Sequence, residues 1–454
     1  MTASAPTRHA PLVAAPQRAL LLPFPHPGNG PAQVRNIPRD GLVLGRGEAV
    51  FDSPFDDVGM ALRQAEVHLD GRTATVSDLG SRAGGESRTR LNGVLLREPH
   101  ALVDGDVLRL GDTVLLYSNL GRALLLPETH RAGEPELTGA TPSIEAVRCS
   151  VEAVAPHPRT VVISGETGTG KEIVARLLHR RSGRPGPFVA VNCGGFTDGL
   201  LASELFGHVR GAFTGAVTEH AGLFRAARGG TLFLDEAGDI PPALQATLLR
   251  VLETWEVRPV GSTRDVAVDV RVVAASNREL VALVEQGLFR ADLYARLAQW
   301  VIRMPPLRER RGDIPALSRA LLAQLGATGR SLTPDLEEAL LIHPWPLNVR
   351  GLSNVLSIAA IAKPADQPLG LGPEVRTALE DNRISGRVPA AVPVSAMAPA
   401  ERVHVELETG ALEALLRQFR GRVAEMARHI GVSRPRLYRM LWAAELDPAQ
   451  FRGR

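Results

Sequence analysis

Seven consecutive residues, Gly165-Glu166-Thr167-Gly168-Thr169-Gly170-Lys171, have the composition needed to hold a row of phosphates. The spacing of Gly165, Gly170 and Lys171 fits the pattern G-x-x-x-x-G-K, in which glycine N–H groups wrap phosphate oxygens and the lysine adds a point charge. A short apolar strand precedes the loop and a helix is predicted from Lys171 onward, so a helix N-terminus adds a favourable dipole. The chain has only two lysines, Lys171 and Lys363, and one of them stands here. ATP is the expected ligand. A chance glycine-rich turn is the alternative, and the strand-loop-helix context argues against it. Glu172 occupies the position where Ser or Thr ordinarily supplies a hydroxyl to Mg²⁺. The metal would then lean on a second motif, on phosphate oxygens and on water.

That second motif is Thr231-Leu232-Phe233-Leu234-Asp235-Glu236, an apolar strand ending in two acids. Asp235 is placed to hold Mg²⁺ through water, and Glu236 to polarise the attacking water as general base. The alternative is a strand ending in a solvated acidic turn. Further on, Ser276-Asn277 follows another apolar strand, and a polar residue at a strand tip can sense a γ-phosphate. Arg290 and Arg296 lie six residues apart. Either could reach a neighbouring subunit's nucleotide and neutralise developing charge, or both could sit on the wet face of a helix. Arg350 is a candidate to touch the same nucleotide from a helical lid.

These residues need a scaffold, and 454 residues are enough for several domains. Apolar content is 44% and aromatic content 4%, so the cores must be mostly aliphatic. Residues 1–38 are rich in Pro and Ala and read as a disordered tail. Residues 39–119 alternate short apolar stretches with Gly and Asp turns, which predicts a β-sandwich. A linker spans 120–138. Residues 139–366 alternate strands and helices, predicting an α/β domain with a mostly parallel sheet and a helical lid. A second linker covers 367–405, and 406–454 read as all-helical. Cys149 and Cys193 offer neither a disulfide framework nor a zinc spacing, and no apolar run reaches the roughly 18 residues of a membrane span. A cytoplasmic protein with no membrane partner is expected.

Between the loop and the acidic strand lies Gly211-Ala212-Phe213-Thr214-Gly215-Ala216. Its outer glycines offer hinges, and Phe213 is an aromatic suited to a protein contact. Together with Gly165–Glu172 (GETGTGKE), residues 188–193 (FVAVNC), the acidic strand, residues 289–297 and residues 305–310 (PPLRER), this hexapeptide resembles the AAA+ domain of bacterial enhancer-binding proteins, the activators of sigma-54 RNA polymerase. The resemblance spans roughly 139–366. It implies an ATPase ring, dimer to hexamer, with ATP between subunits and an arginine supplied in trans. It also implies a loop carrying Phe213 and Thr214 to sigma-54, and an Asn192 that restrains Glu236 until that loop engages. Glu172 is then a mark of the family. Two stretches depart: in Trp345–Leu352, Leu347 and Gly351 stand where the family has Gly and Glu, and Cys193-Gly194-Gly195 replaces a more usual Ala pair.

From 411 to 454 there are nine Arg against four acids, a local excess that suits a polyanion. Residues 422–441 read helix, turn, helix, similar to the Fis-type helix-turn-helix of the same family. Ser433 would cap the second helix, and Arg434, Arg436, Tyr438 and Arg439 would meet double-stranded enhancer DNA in its major groove. A basic hairpin packed on the ring is the alternative. The sandwich resembles a forkhead-associated (FHA) domain through Gly45-Arg46, Asp78-Leu79-Gly80-Ser81, Asn92-Gly93 and residues 102–111. This implies a phosphothreonine partner, a phosphoprotein or Ser/Thr kinase, bound by Arg46, Arg63 and Asn92. The family's S-R-x-H stretch falls at Leu62-Arg63-Gln64-Ala65, without its Ser and His, so a plain protein-contact module stays open. Two rival readings of the whole chain are a AAA+ remodeller with another client and a DNA-bound scaffold with a dead ATPase. The first would lack the hexapeptide, and the second would lack Lys171, Asp235 or Glu236.

Overall fold

Alternation with period two over 39–119 folds as two facing sheets. The computed structural model describes residues 18–119 apart from 25–32, 49, 52–54, 72 and 83–87, residues 137–385 apart from 197, 214–215 and 365, and residues 416 and 419. The chain divides into two units, Met1–Val388 and Pro389–Arg454. The helices expected over 406–454, with Ser433, Arg434, Arg436, Tyr438 and Arg439, lie outside the described residues.

The sandwich strands are β1 (Ala19–Leu22), β2 (Gln33–Asn36), β3 (Leu42–Leu44), β4 (Ala65–Asp70), β5 (Thr73–Asp78), β6 (Thr89–Leu91), β7 (Val94–Leu95), β8 (His100–Ala101), β9 (Val107–Leu110) and β10 (Thr113–Ser118), with one helical turn, α1 (Leu79–Arg82), after β5. One sheet runs β2-β1-β10-β9-β6-β7 and the other β3-β4-β5-β8. The expectation of a disordered tail over 1–38 is corrected for the described residues 18–24 and 33–38. β1 pairs antiparallel with β10, and β2 with β1. The reason is the run Ala19-Leu20-Leu21-Leu22, which has no period because it is covered on both sides. Leu20 packs inside the sandwich, whereas Leu21 packs against helices beyond it.

The α/β body follows in the order α2 (Pro142–Val154), β11 (Val161–Ser164), α3 (Lys171–Arg181), β12 (Phe188–Asn192), α4 (Asp198–Phe206), α5 (Leu223–Ala226), β13 (Thr231–Asp235), α6 (Pro242–Thr254), β14 (Glu256–Val257), β15 (Val266–Ala267), β16 (Arg271–Ser276), α7 (Leu280–Glu285), α8 (Ala291–Leu297) and β17 (Trp300–Arg303). Its five-stranded sheet has the order β12-β13-β16-β11-β17, with every pair parallel. α2 and α3 cover one face around Val161, Ile163 and Phe233, while α4, α6 and α8 cover the other around Val162, Leu232 and Leu234. In such sheets ligands gather outside the carboxyl ends of the strands. The loop 165–170 leaves the end of β11, Asp235 ends β13 and Ser276 ends β16, so the sheet brings these candidates to one edge.

The lid is α9 (Ile314–Gln324), α10 (Pro334–Ile342), α11 (Asn348–Ala362) and α12 (Pro373–Ser385). α12 falls where a linker was expected from 367 on. Its Val375 and Leu379 bury against the other lid helices, a modest apolar stripe hidden among polar residues. α12 also accounts for one departure, because a Cβ on Gly351 would lie 2.3 Å from the Asn382 side-chain nitrogen. A side chain at 351 would have to displace the Asn382 amide.

Lid and sandwich share a core. Leu21, Val107, Val114 and Leu116 pack in one cluster with Leu336 and Leu340 of α10. Each such side chain contributes about 1.5–3 kcal/mol when fully buried. Arg109 on β9 donates to Asp335 and, at 3.1 Å, to Glu338 on α10. Burial next to this pair pushes the Glu337 carboxyl up to about 8, against the opposing pull of Arg109.

Candidate nucleotide site

The loop after β11 is shaped by its glycines. Gly168 has φ +79°, and a Cβ there would sit 2.2 Å from the Leu347 carbonyl oxygen. Only glycine allows α11 to approach this closely. Gly170, with φ +102°, is the residue from which α3 starts. Lys171 lies half-buried behind the loop, its Nζ donating to the carbonyls of Gly165 (2.8 Å) and Glu166 (3.1 Å). Burial lowers its pKa, while Asp235 and Glu236 hold its charge in place. An ammonium braced on loop carbonyls at a helix N-terminus, facing two carboxylates, fits a phosphate chain with a divalent counter-ion.

Thr167 and Thr169 face different ways. Thr169 is buried and its hydroxyl donates to the Glu166 carbonyl, at 2.8 Å. The Thr167 hydroxyl receives the side-chain amide of Asn277 at 3.3 Å, which brings the strand-tip asparagine onto the loop. Ser276 is instead fully buried and serves its own turn, donating to the Arg278 carbonyl (2.7 Å) and accepting from the Arg278 N–H (3.1 Å). Glu172 turns outward to Arg176, 2.6 Å away, so its part in the loop is its backbone.

Glu236 adopts φ +52°, a left-handed conformation uncommon for a non-glycine residue. Its N–H donates to the Asp235 carboxylate at 3.0 Å. Strain of this kind persists only where surroundings over-determine it, and it gathers at functional sites. The Glu236 carboxylate sits in a slot left open by Gly194, where a Cβ would come within 2.8 Å of Oε2. Asn192 borders the same slot, its side-chain oxygen accepting the Gly194 N–H at 2.9 Å, and makes no direct hydrogen bond to Glu236. The Cys193-Gly194-Gly195 departure therefore has a local consequence: it makes room for the acid. Burial beside Asp235, Asp239 and Glu236 pushes the Cys193 thiol up to about 12, which leaves it inert. Among the described residues no cluster of three or more His, Cys, Asp or Glu forms a ready metal site.

Arg290 and Arg296 are both exposed and lie away from this loop. Arg290 pairs with Asp292 at 2.7 Å. Arg296 closes α8, and its carbonyl accepts from Thr160 at the start of β11, the end opposite the loop. Neither makes a contact with its own loop 165–171. Arg350 is exposed at the start of α11, its Cβ 3.1 Å from where a Gly168 Cβ would be, and its charge is felt by Lys171.

Three residues that sequence reasoning did not single out tie the lid to the loop. Arg308 grips the Glu166 carboxylate with two bonds, 2.8 and 2.6 Å, and holds that carboxyl below its usual range. Arg310, fully buried, donates to the Thr169 carbonyl at 3.1 Å. Asn348 is fully buried with φ +50°. Its amide nitrogen donates to Glu166 (3.1 Å) and the Thr167 carbonyl (2.9 Å), while its oxygen accepts the Leu307 N–H (2.8 Å). The stretches 305–310 and 345–352 carried this signal as motifs, but nothing in their spacing shows that they meet. Leu347 has a negative φ of −97°, so the family's glycine is not required there.

The comparisons agree on what this assembly is. The sigma-54 interaction domain matches residues 137–303, the AAA+ ATPase lid domain residues 308–371 and the FHA domain residues 42–111. The transcriptional regulatory protein GlrR of Escherichia coli K12 is 38% identical over 348 residues, 75% of this chain and 76% of GlrR. The chain belongs to the sigma-54-dependent transcriptional regulators. ZraR of Klebsiella oxytoca is 41% identical over 313 residues, 66% of this regulator and 67% of its own length. LuxO of Vibrio cholerae is 47% identical over 237 residues, and there this regulator spans 45% of its relative. Among solved structures, NtrX of Brucella abortus in complex with ATP is 31% identical, covering 68% of this chain and 69% of NtrX, with a TM-score of 0.49.

In this regulator the hexapeptide 211–216 closes on itself at its base. The Gly211 N–H donates to the Ala216 carbonyl (2.9 Å) and the Ala216 N–H to the Phe213 carbonyl (3.0 Å). Ala212 packs beside Gly261, and Ala216 is buried. Phe213 is 45% exposed, its ring edge-on to His208 at 5.0 Å. Thr214 and Gly215 lie outside the described residues. No described helix is long and apolar enough to cross a membrane.

One consequence of the lid braces is testable. Asn348→Ala leaves the buried Leu307 N–H and Thr167 carbonyl unpaired and puts a less tolerant residue at positive φ. It should cost about 2–4 kcal/mol of stability in chemical denaturation. It should also raise KM for ATP, because Glu166 loses one of its two anchors.

Proposed function

We propose that this regulator is an ATP-driven activator that remodels sigma-54 RNA polymerase, working as a ring assembled from dimers into a hexamer. One observation carries the reading: a half-exposed Phe213, on a loop with hinge glycines, stands on the same domain as a complete phosphate loop and an acidic pair. ATP would sit against Gly165–Lys171, with Asp235 holding Mg²⁺ through water and Glu236 drawing a proton from the attacking water. Asn277 would sense the γ-phosphate, and Arg350 would touch the nucleotide from the lid. The exposure of Arg290 and Arg296, and their separation from their own loop, support a role in trans on the neighbouring subunit's nucleotide. Asn192, which borders the Gly194 slot with Glu236, would bias that acid when the 211–216 loop moves.

Residues 406–454 would bind enhancer DNA as a helix-turn-helix, with Arg434, Arg436 and Arg439 on phosphates or guanine edges, Tyr438 beside them and Ser433 as cap. The basic balance of this end supports that assignment. The FHA domain would be the input, taking a phosphothreonine protein. The loops of Arg46 and Arg63 run side by side, joined by the Arg46 N–H to the Ala61 carbonyl (3.0 Å) and the Gly47 N–H to the Leu62 carbonyl (3.2 Å). Both side chains are exposed. Asn92 is committed elsewhere: its amide donates to Asp106 (2.8 Å) and accepts from the Val107 N–H (3.0 Å). Phosphate recognition would therefore fall to Arg46 and Arg63.

The test is Thr214→Ala. ATP hydrolysis should stay within about twofold of the parent, since the loop lies outside the phosphate site. Activated transcription from a sigma-54 promoter in vitro should be lost. Full activation by this variant would refute the assignment of the loop to sigma-54.

A further inference from the structure

The lid reaches the P-loop from two places, and the FHA domain holds both. The first is α10. Its Asp335 and Glu338 accept from the Arg109 guanidinium of β9, whose Nε donates to the Gly111 carbonyl at 2.9 Å. Around this group Val107, Val114 and Leu116 of the sandwich share one buried cluster with Leu336 and Leu340. Ile342, the last residue of α10, lies 3.6 Å from where a Gly93 Cβ would be. The second place is the segment 308–311, where Arg311 donates to the Gly105 carbonyl of the FHA domain at 2.7 Å.

Each place is a short, stiff step from the loop. α10 passes to α11 through residues 343–347. Trp345 in that link is fully buried, its indole N–H donating to the Leu340 carbonyl (2.8 Å) and its backbone N–H to His343 Nδ1 (3.1 Å). His343 therefore carries its proton on Nε2 and donates to the Leu379 carbonyl of α12 at 3.0 Å. α11 then starts directly on the P-loop: the Val349 N–H donates to the Gly168 carbonyl at 3.0 Å, next to Asn348 on Glu166 and Thr167. Beside Arg311, Arg310 reaches the Thr169 carbonyl. Close-packed interiors transmit strain, so a shift of α10 is carried to Gly168.

We propose that Arg109 is a positioning residue for ATP binding: by clamping the FHA domain to α10 it holds α11 against the P-loop and pre-organises that loop for the phosphates. It acts through the lid, from a different domain. Pre-organisation reduces the ordering cost of binding, so the docked arrangement binds ATP more tightly than an undocked one. The coupling is reciprocal: whatever loosens the FHA domain on the lid weakens ATP binding by the same factor, and ATP tightens the seam. Asn92 bonds both Asp106 and the Val107 N–H, which joins its loop to the seam. A ligand of the FHA domain would reach the nucleotide by this route. That regulatory meaning rests on the reading of the FHA domain as input, whereas the clamp does not.

The experiment uses the full chain with no phosphopeptide. Arg109→Glu sets like charges against Asp335 and Glu338. Combining it with Glu338→Arg restores opposite charges across the same seam. Calorimetry gives the affinity for a non-hydrolysable ATP analogue, hydrogen exchange follows α10, and steady-state hydrolysis gives KM and kcat. Arg109→Glu should speed exchange in α10 and weaken both analogue affinity and KM by about tenfold. Its kcat at saturating ATP should stay within about threefold, since Asp235 and Glu236 are set by β13. The swapped pair should return the affinity to within about threefold of the parent. Should Arg109→Glu fail to fold, Asp335→Ala at the exposed partner decides, with a weakening of about threefold expected. Faster exchange in α10 with unchanged affinity overturns the proposal. So does unchanged exchange, a parallel loss of kcat, full affinity in Asp335→Ala where that variant decides, or no recovery in the swapped pair. None of these outcomes bears on phosphothreonine recognition by Arg46 and Arg63, which peptide binding to the parent tests separately.

Discussion

Lys171→Ala is expected to remove ATP hydrolysis, by about 10²–10³-fold or more in kcat/KM. The lysine is the loop's own cation, fixed behind residues 165–170. Its ammonium bridges the Gly165 and Glu166 carbonyls, and burial makes it a poorly screened charge. Alanine leaves those carbonyls at the loop surface, where water can satisfy them, so the fold should survive. The sandwich core and its seam with α10 contain no part of this site. Thermal unfolding of the variant should therefore match the parent without nucleotide. The parent alone should gain stability when ATP is added, since a ligand that binds only the folded state stabilises by mass action. Retained hydrolysis would mean that another cation neutralises the terminal phosphate, and Arg350, whose charge Lys171 already feels, is the residue to remove next.

Much of this site is legible in the sequence because its parts are local. A strand, a glycine-rich turn and a helix start form one stretch, so Gly165–Lys171 announces its own conformation. The same holds for Thr231–Asp235, an apolar strand with acid at its tip. The lid braces are a different matter. Arg308, Arg310 and Asn348 reach the P-loop across 142, 141 and 182 residues of chain, and no periodicity encodes such a meeting. β1 and β2 escape for a related reason. Covered on both sides, β1 shows no alternation, and a Pro-rich neighbourhood hides both strands. Gly351 reads as a departure from the family pattern until Asn382 of α12 is seen to fill the space a side chain would need. Cys193-Gly194-Gly195 reads likewise until Glu236 is seen in the slot beside Gly194.

That slot makes Glu236→Gln the second large effect expected. Glutamine keeps the shape, the hydrogen-bonding backbone and the left-handed φ, but it removes the only basic atom placed at the tip of β13 beyond Asp235. Loss of a positioned general base typically costs about 10²–10⁴-fold in rate. Nucleotide affinity should change little or rise slightly, because a negative charge facing the phosphates is removed while Lys171 and the loop N–H groups stay. Single-turnover hydrolysis of pre-bound ATP separates the two quantities: binding intact, chemical step slow. A variant that hydrolyses at the parent rate would move the general base to Asp235 and leave the strain at φ +52° without a catalytic purpose. The geometry argues against that outcome. Asp235 already accepts the Glu236 N–H, whereas the Glu236 carboxylate lies beside Gly194 and makes no hydrogen bond to Asn192.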